Sequence, residues 1–120
     1  MSKMILVIED QEDNRRIMRD LLTSAGFEII EALSGKEGVA AAEAHNPELI
    51  LMDIQLPDFD GYEATRRIKA NPALTSVPII AVTSYALSGD DVKAYEAGCD
   101  AYVSKPFSPR ALLAKIREFI

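Results

Sequence analysis

Five times along the chain, a short apolar run rich in β-branched residues gives way to a longer stretch with helical spacing and helix punctuation. The runs are Met4 to Ile8, Phe27 to Ala32, Leu49 to Met52, Ile79 to Val82 and Ala101 to Val103. After the first, Ile17, Met18, Leu21, Leu22 and Ala25 form one apolar helical face closed by Gly26. Ser34-Gly35-Lys36-Glu37 is a capping box whose helix stops before Asn46-Pro47. Asp60-Gly61-Tyr62-Glu63 opens a third helix that ends before Asn71-Pro72, and a fourth runs from near Ser88 to Gly98. The fifth has Ser108 as N-cap and Pro109 at its first position, with Leu112, Leu113, Ile116 and Phe119 facing inward. Strands that are apolar on both faces must be covered on both, so strict alternation with helices predicts an α/β protein with a doubly wound parallel sheet.

At 120 residues the chain is expected to be one domain, 1–120, that buries roughly two-thirds of its unfolded surface. Hydrophobic residues at 48% and charged residues at 27% argue against disorder. Cys99 is the sole cysteine, so no disulfide framework exists. No apolar run approaches the roughly 18 residues of a membrane span, and Met1-Ser2-Lys3 leads straight into a strand; a cytoplasmic location is expected. A net charge of -6, with no basic stripe, disfavours nucleic acid and favours protein partners. If the chain is full length, with nothing after the fifth helix, output is expected through binding another protein.

Ligands of doubly wound sheets sit beyond the carboxyl ends of the strands. There the sequence places Glu9 and Asp10 after strand one, Asp53 after strand three, Thr83 after strand four, and Ser104-Lys105-Pro106 after strand five. Three carboxylates brought close together repel one another, and a hard divalent cation relieves that repulsion. Oxygen donors without histidine or cysteine point to Mg²⁺ with a phosphate as a further ligand. Lys105 adds a positive charge for a phosphoryl oxygen, and the Thr83 hydroxyl can donate to another. Asp53, kept ionised and aimed, suits a nucleophile that becomes an aspartyl phosphate.

The segments ILVIEDQEDN, LILMDIQLPDFDGYE, AVTSYA and AYVSKPF stand in the order and at about the spacing of the receiver domain of bacterial response regulators, which the whole chain resembles. More narrowly, QLPDFDGYEATRRIKANPALTSVPIIAVTSYALSGD is similar to single-domain regulators of the CheY and DivK kind and to receivers of hybrid histidine kinases. The resemblance implies a flavodoxin-like (β/α)5 fold with strand order 2-1-3-4-5. It implies that Asp53 is the phosphoacceptor, that Asp10 and Asp53 ligate Mg²⁺ directly, that Glu9 acts through a metal-bound water, and that Gln55 offers its backbone carbonyl. Thr83 and Lys105 would contact the phosphoryl group, Pro106 would follow a cis peptide bond, and Tyr102 would be a switch aromatic coupled to Thr83. Ser84 departs from the family's usual alanine, which bears on small-donor access. The implied partners are a histidine kinase or histidine phosphotransferase upstream, and a protein target at the face of the fourth helix, fifth strand and fifth helix, where Tyr85, Tyr95 and Tyr102 lie.

Plainer readings and other classes stand beside this one. Asp53 could be a turn aspartate bonded to its own backbone, and Glu9 and Asp10 could merely cap the first helix. Tyr102 could be an ordinary strand aromatic, His45 a surface residue and Cys99 a packed thiol. A phosphatase of the haloacid-dehalogenase class also uses an Asp nucleophile and Mg²⁺, but it needs a second aspartate where this chain has Gln55. A nucleotide- or flavin-binding domain would want a glycine-rich loop where Glu9-Asp10-Gln11-Glu12-Asp13-Asn14 stands. An unphosphorylated adaptor of the same fold would have lost an acid-pocket residue or the lysine, and none is lost.

Overall fold

The computed structural model describes residues 3–83, 90–104 and 108–120, with Thr83, Asp90 and Asp91 placed by their backbone alone. Among the described residues ten elements alternate. They are β1 (Met4–Ile8), α1 (Glu12–Ser24), β2 (Glu28–Ala32), α2 (Gly35–His45), β3 (Leu49–Asp53), α3 (Gly61–Lys69), β4 (Ile79–Thr83), α4 (Asp90–Ala97), β5 (Ala101–Ser104) and α5 (Pro109–Arg117). Every pairing among the described strands is parallel, in the order β2-β1-β3-β4-β5 that the resemblance implies.

Side chains alternate across a strand, and the two resulting sets feed two cores. Leu6, Ile8, Ile50, Met52, Ile79 and Ala81 pack with Ala42 of α2, Ala64 and Ile68 of α3 and Ala94 of α4. Ile5, Val7, Leu49, Leu51, Ile80 and Val82 pack with Met18 and Leu22 of α1 and Leu112 and Ile116 of α5. This explains the unbroken apolar runs: β1, β3 and β4 are interior strands with no solvated face. Each fully buried Leu or Ile contributes about 1.5–3 kcal/mol of transfer free energy. The edge strand β2 carries Glu28 and Glu31 instead, charges that discourage pairing with another sheet edge.

Helix starts follow the punctuation. Ser34 Oγ accepts from Glu37 N–H at 3.1 Å, Asp60 Oδ1 from Glu63 N–H at 2.9 Å, and Ser108 Oγ from Ala111 N–H at 3.3 Å. Asn46 ends α2 with a left-handed φ of 49°. The start expected for the fourth helix near Ser88 lies outside the described residues; α4 is described from Asp90.

Two apolar residues expected inside are not there: Ile17 is 51% exposed and Phe119 37%. In α1 the buried positions are Arg15, Met18 and Leu22, so the inward arc is turned toward Arg15 and leaves Ile17 about 100° from Met18 around the axis. Phe119 follows the last turn of α5, where helical phase no longer dictates which way a side chain points. No described helix is long and apolar enough to cross a membrane.

Candidate functional site

Because β1 and β3 are neighbours, the register that sets Ile8 opposite Met52 delivers the next residues, Glu9 and Asp53, to one sheet edge. Glu9 is held there by its own N–H, which donates to Ala32 O at 3.0 Å. Glu9 and Asp53 are 0% and 3% exposed, while Asp10 is half-buried. Carboxylate oxygens of all three lie within 4.8 Å of one another. Full charges at that separation repel by roughly 3 kcal/mol per pair at an effective dielectric of about 20. Burial of such a cluster needs compensation. The donor set is oxygen only, which fits a hard divalent cation of the Mg²⁺ or Ca²⁺ kind and not zinc.

Backbone donors aim these groups. Gln55 N–H donates to Asp53 Oδ1 at 3.2 Å, and Gln11 N–H to Glu9 Oε2 at 3.2 Å. Gln11 Nε2 donates to Asp10 Oδ2 at 3.4 Å. The turn-aspartate reading of Asp53 is therefore correct as local geometry, and that turn is what points the carboxylate toward the acid pair.

Beyond Asp53 the register pairs it with Val82, so Thr83 ends β4 one residue further along the same edge, opposite Ser104 of β5. The Thr83 side chain lies outside what the structure describes, as do Ser84, Tyr85, Lys105 and the cis bond expected before Pro106. Tyr102 is half-buried on β5 beside Ala81 and packs against the α2–α3–α4 core. Gln55 is exposed in the loop after β3. His45 is exposed, as expected. Cys99 is buried; its thiol is pushed up from its ordinary value by desolvation, with a contact to Thr65 Oγ1 at 3.6 Å.

Three features of the site's support escaped the sequence reading. The first is Arg15, a buried guanidinium whose Nη1 donates to the carbonyl oxygens of Glu9 and Asp10, both at 3.0 Å. The one available signal was its spacing, three and seven residues before Met18 and Leu22 on the α1 stripe. Behind it, Arg19 makes a forked pair with Glu31 at 2.8 and 2.7 Å. That hydrogen bonding, opposed by desolvation, holds the Glu31 carboxyl below its ordinary value. The second is Asp58, in the loop between β3 and α3, whose carboxylate accepts from Gly35 N–H and Lys36 N–H, each at 2.8 Å. With Ser34 on Glu37 N–H, it caps the first turn of α2. Phe59 packs where a Cβ on Gly35 would fall, and Arg67 covers its ring at 4.1 Å. The third is Gly61, whose hydrogen lets α3 start against the backbone of Asp53 and Ile54.

A parallel α/β sheet in this strand order with an acid cluster at the ends of β1 and β3 defines a receiver, and the comparisons agree. The family model described as response regulator receiver domain matches residues 5–117. The polar-differentiation response regulator DivK of Brucella ovis is 41% identical over 120 residues, covering 100% of this chain and 98% of that protein. The receiver domain of the sensor histidine kinase PA1611 from Pseudomonas aeruginosa PAO1, solved with a magnesium ion coordinated in its active-site cleft, superposes with a TM-score of 0.93. It is 36% identical, covering 99% of this chain and 98% of that one. The Vibrio cholerae chemotaxis protein CheY4 has a TM-score of 0.94 at 22% identity with full coverage of both chains, which bears on the fold alone.

The chain belongs to the response regulator receiver family, on its DivK- and CheY-like branch. It is a phosphorylation-controlled signalling module, and the phosphatase alternative finds no support among these matches.

Proposed function

We propose that the receiver spans residues 1–120 and takes a phosphoryl group onto Asp53 from a phosphohistidine of a histidine kinase or histidine phosphotransferase. The observation that carries this reading is the convergence of Glu9, Asp10 and Asp53 at one sheet edge. An Asp53 carboxylate oxygen forms the new P–O bond as the P–N bond breaks, and the electron pair returns to the imidazole nitrogen. Asp10 and Asp53 would hold Mg²⁺ directly, Gln55 through its carbonyl and Glu9 through a water. Bound there, the cation neutralises charge on the carboxylates and on the transferring group. Thr83 and Lys105 hold the phosphoryl oxygens. The same groups promote the domain's own phosphorylation from small donors and its hydrolysis back to carboxylate and phosphate.

Output runs to a protein target through the face of α4, β5 and α5, with Tyr102 as the coupled aromatic. Val92 and Tyr95 of α4 stand exposed on the molecule's surface and support that choice of face. The setting is cytoplasmic, with no direct nucleic-acid or membrane role. Incubation with acetyl phosphate and Mg²⁺ tests the reading. A single hydroxylamine-labile phosphoryl mass gain is expected, abolished by chelation; a metal-independent adduct contradicts it.

A further inference from the structure

Arg15 is the one buried basic side chain among the described residues, and it sits behind the acid pair. Its Nη1 bridges two successive main-chain carbonyls, those of Glu9 and Asp10, at 3.0 Å each. These carbonyls belong to the peptide planes on either side of Asp10, so bonding both fixes the direction in which the Asp10 side chain leaves the chain. The guanidinium is itself held from two other sides: its Nη2 pairs with Glu12, and its Nε faces Glu31 at 3.3 Å. Glu31 is in turn gripped by the fork of Arg19. Two cations and two carboxylates cancel, so the network orients the site without adding net charge to it.

We infer that Arg15 is a positioning residue for the metal-binding acid pair, acting through the backbone of Glu9 and Asp10. The inference rests on the reading that these carboxylates hold a divalent cation. A planar fork is needed for it. A lysine keeps the charge but cannot bridge both carbonyls while facing Glu12 and Glu31. Groups that orient metal ligands typically carry about 10- to 100-fold in metal affinity.

Two charge-conserving variants separate positioning from structural support. Arg15→Lys loses the double bridge, whereas Arg19→Lys weakens the same network yet leaves the carbonyl bonds in place. Mg²⁺ titration by calorimetry, with urea unfolding as the gauge of stability, should give about tenfold weaker binding for Arg15→Lys and near wild-type binding for Arg19→Lys. Metal-free ¹⁵N spectra should show the amides of Asp10 and Gln11 shifted in the first variant and not in the second. Equal Mg²⁺ affinity for Arg15→Lys and wild type, or equal losses in both variants, would overturn the inference. Absence of Mg²⁺ binding by the wild-type chain would overturn the metal-site reading instead, and the amide shifts would still decide whether Arg15 places Asp10. Arg15→Gln serves as the second variant should the lysine form not fold.

Discussion

Gly61 stands so close to Asp53 that a Cβ built on it would lie 2.3 Å from the Asp53 carbonyl oxygen and 2.8 Å from Ile54 Cα. Both obstacles are backbone at the end of a central strand, so neither can step aside cheaply. In an open helix, Gly→Ala would stabilise by about 1 kcal/mol. Here overpacking wins: Gly61→Ala should destabilise by about 1–3 kcal/mol in urea unfolding. It should also slow phosphorylation by acetyl phosphate more than the lost stability accounts for, because the displaced segment carries Asp53 and Gln55. A stabilised variant with unchanged phosphorylation would show that the strand end is not held against α3.

The acid cluster predicts a metal-dependent stability. Mg²⁺ should raise the melting temperature, by relieving repulsion among Glu9, Asp10 and Asp53 and by mass action on the folded state. Asp10→Ala should remove most of that gain while leaving the metal-free protein at least as stable as wild type, since one of the repelling charges is gone. Thermal melts with and without Mg²⁺ check both. Equal metal stabilisation in the variant would place the cation elsewhere.

Asp58 ties the loop after β3 to the first turn of α2, and its contribution has a definite pH signature. Desolvation pushes its carboxyl up, but the N–H groups of Lys36 and Gly35 outweigh it, and the group lies below its ordinary 3.8. A depressed carboxyl contributes stability that is complete above the ordinary value and is lost as pH falls through the folded one. Asp58→Ala should therefore cost roughly 1 kcal/mol at pH 7, as cap losses do. The gap between variant and wild type should close as the pH drops below about 3.8. Urea unfolding across that range is the measurement, and a gap that stays constant into acid would rule out the charged cap.

The alternation of elements was readable because its causes are local. Unbroken apolar runs mark strands covered on both faces, and Ser34, Asp60 and Ser108 mark helix starts by bonds to residues three positions on. Glu9, Asp10 and Asp53 were readable as candidates because charges at the ends of core strands have no packing role. Ile17 and Phe119 were misplaced because spacing shows that a helix has an apolar face but not how that face turns against the sheet. Arg15 and Asp58 went unread for a different reason. Their partners are main-chain groups, the carbonyls of Glu9 and Asp10 and the N–H groups of Gly35 and Lys36, which every sequence possesses and only the fold brings near.

Which of the three carboxylates takes the phosphoryl group is directly measurable. An acyl phosphate is reduced by borohydride to an alcohol, so treatment after acetyl phosphate and Mg²⁺ marks the acceptor aspartate as homoserine, which peptide mass mapping then locates. The prediction is conversion at Asp53 alone, in the peptide containing LILMDIQLPDFDG, with none in Asp53→Asn and none when Mg²⁺ is chelated. Homoserine at Asp10, or an adduct that persists in Asp53→Asn, would contradict it.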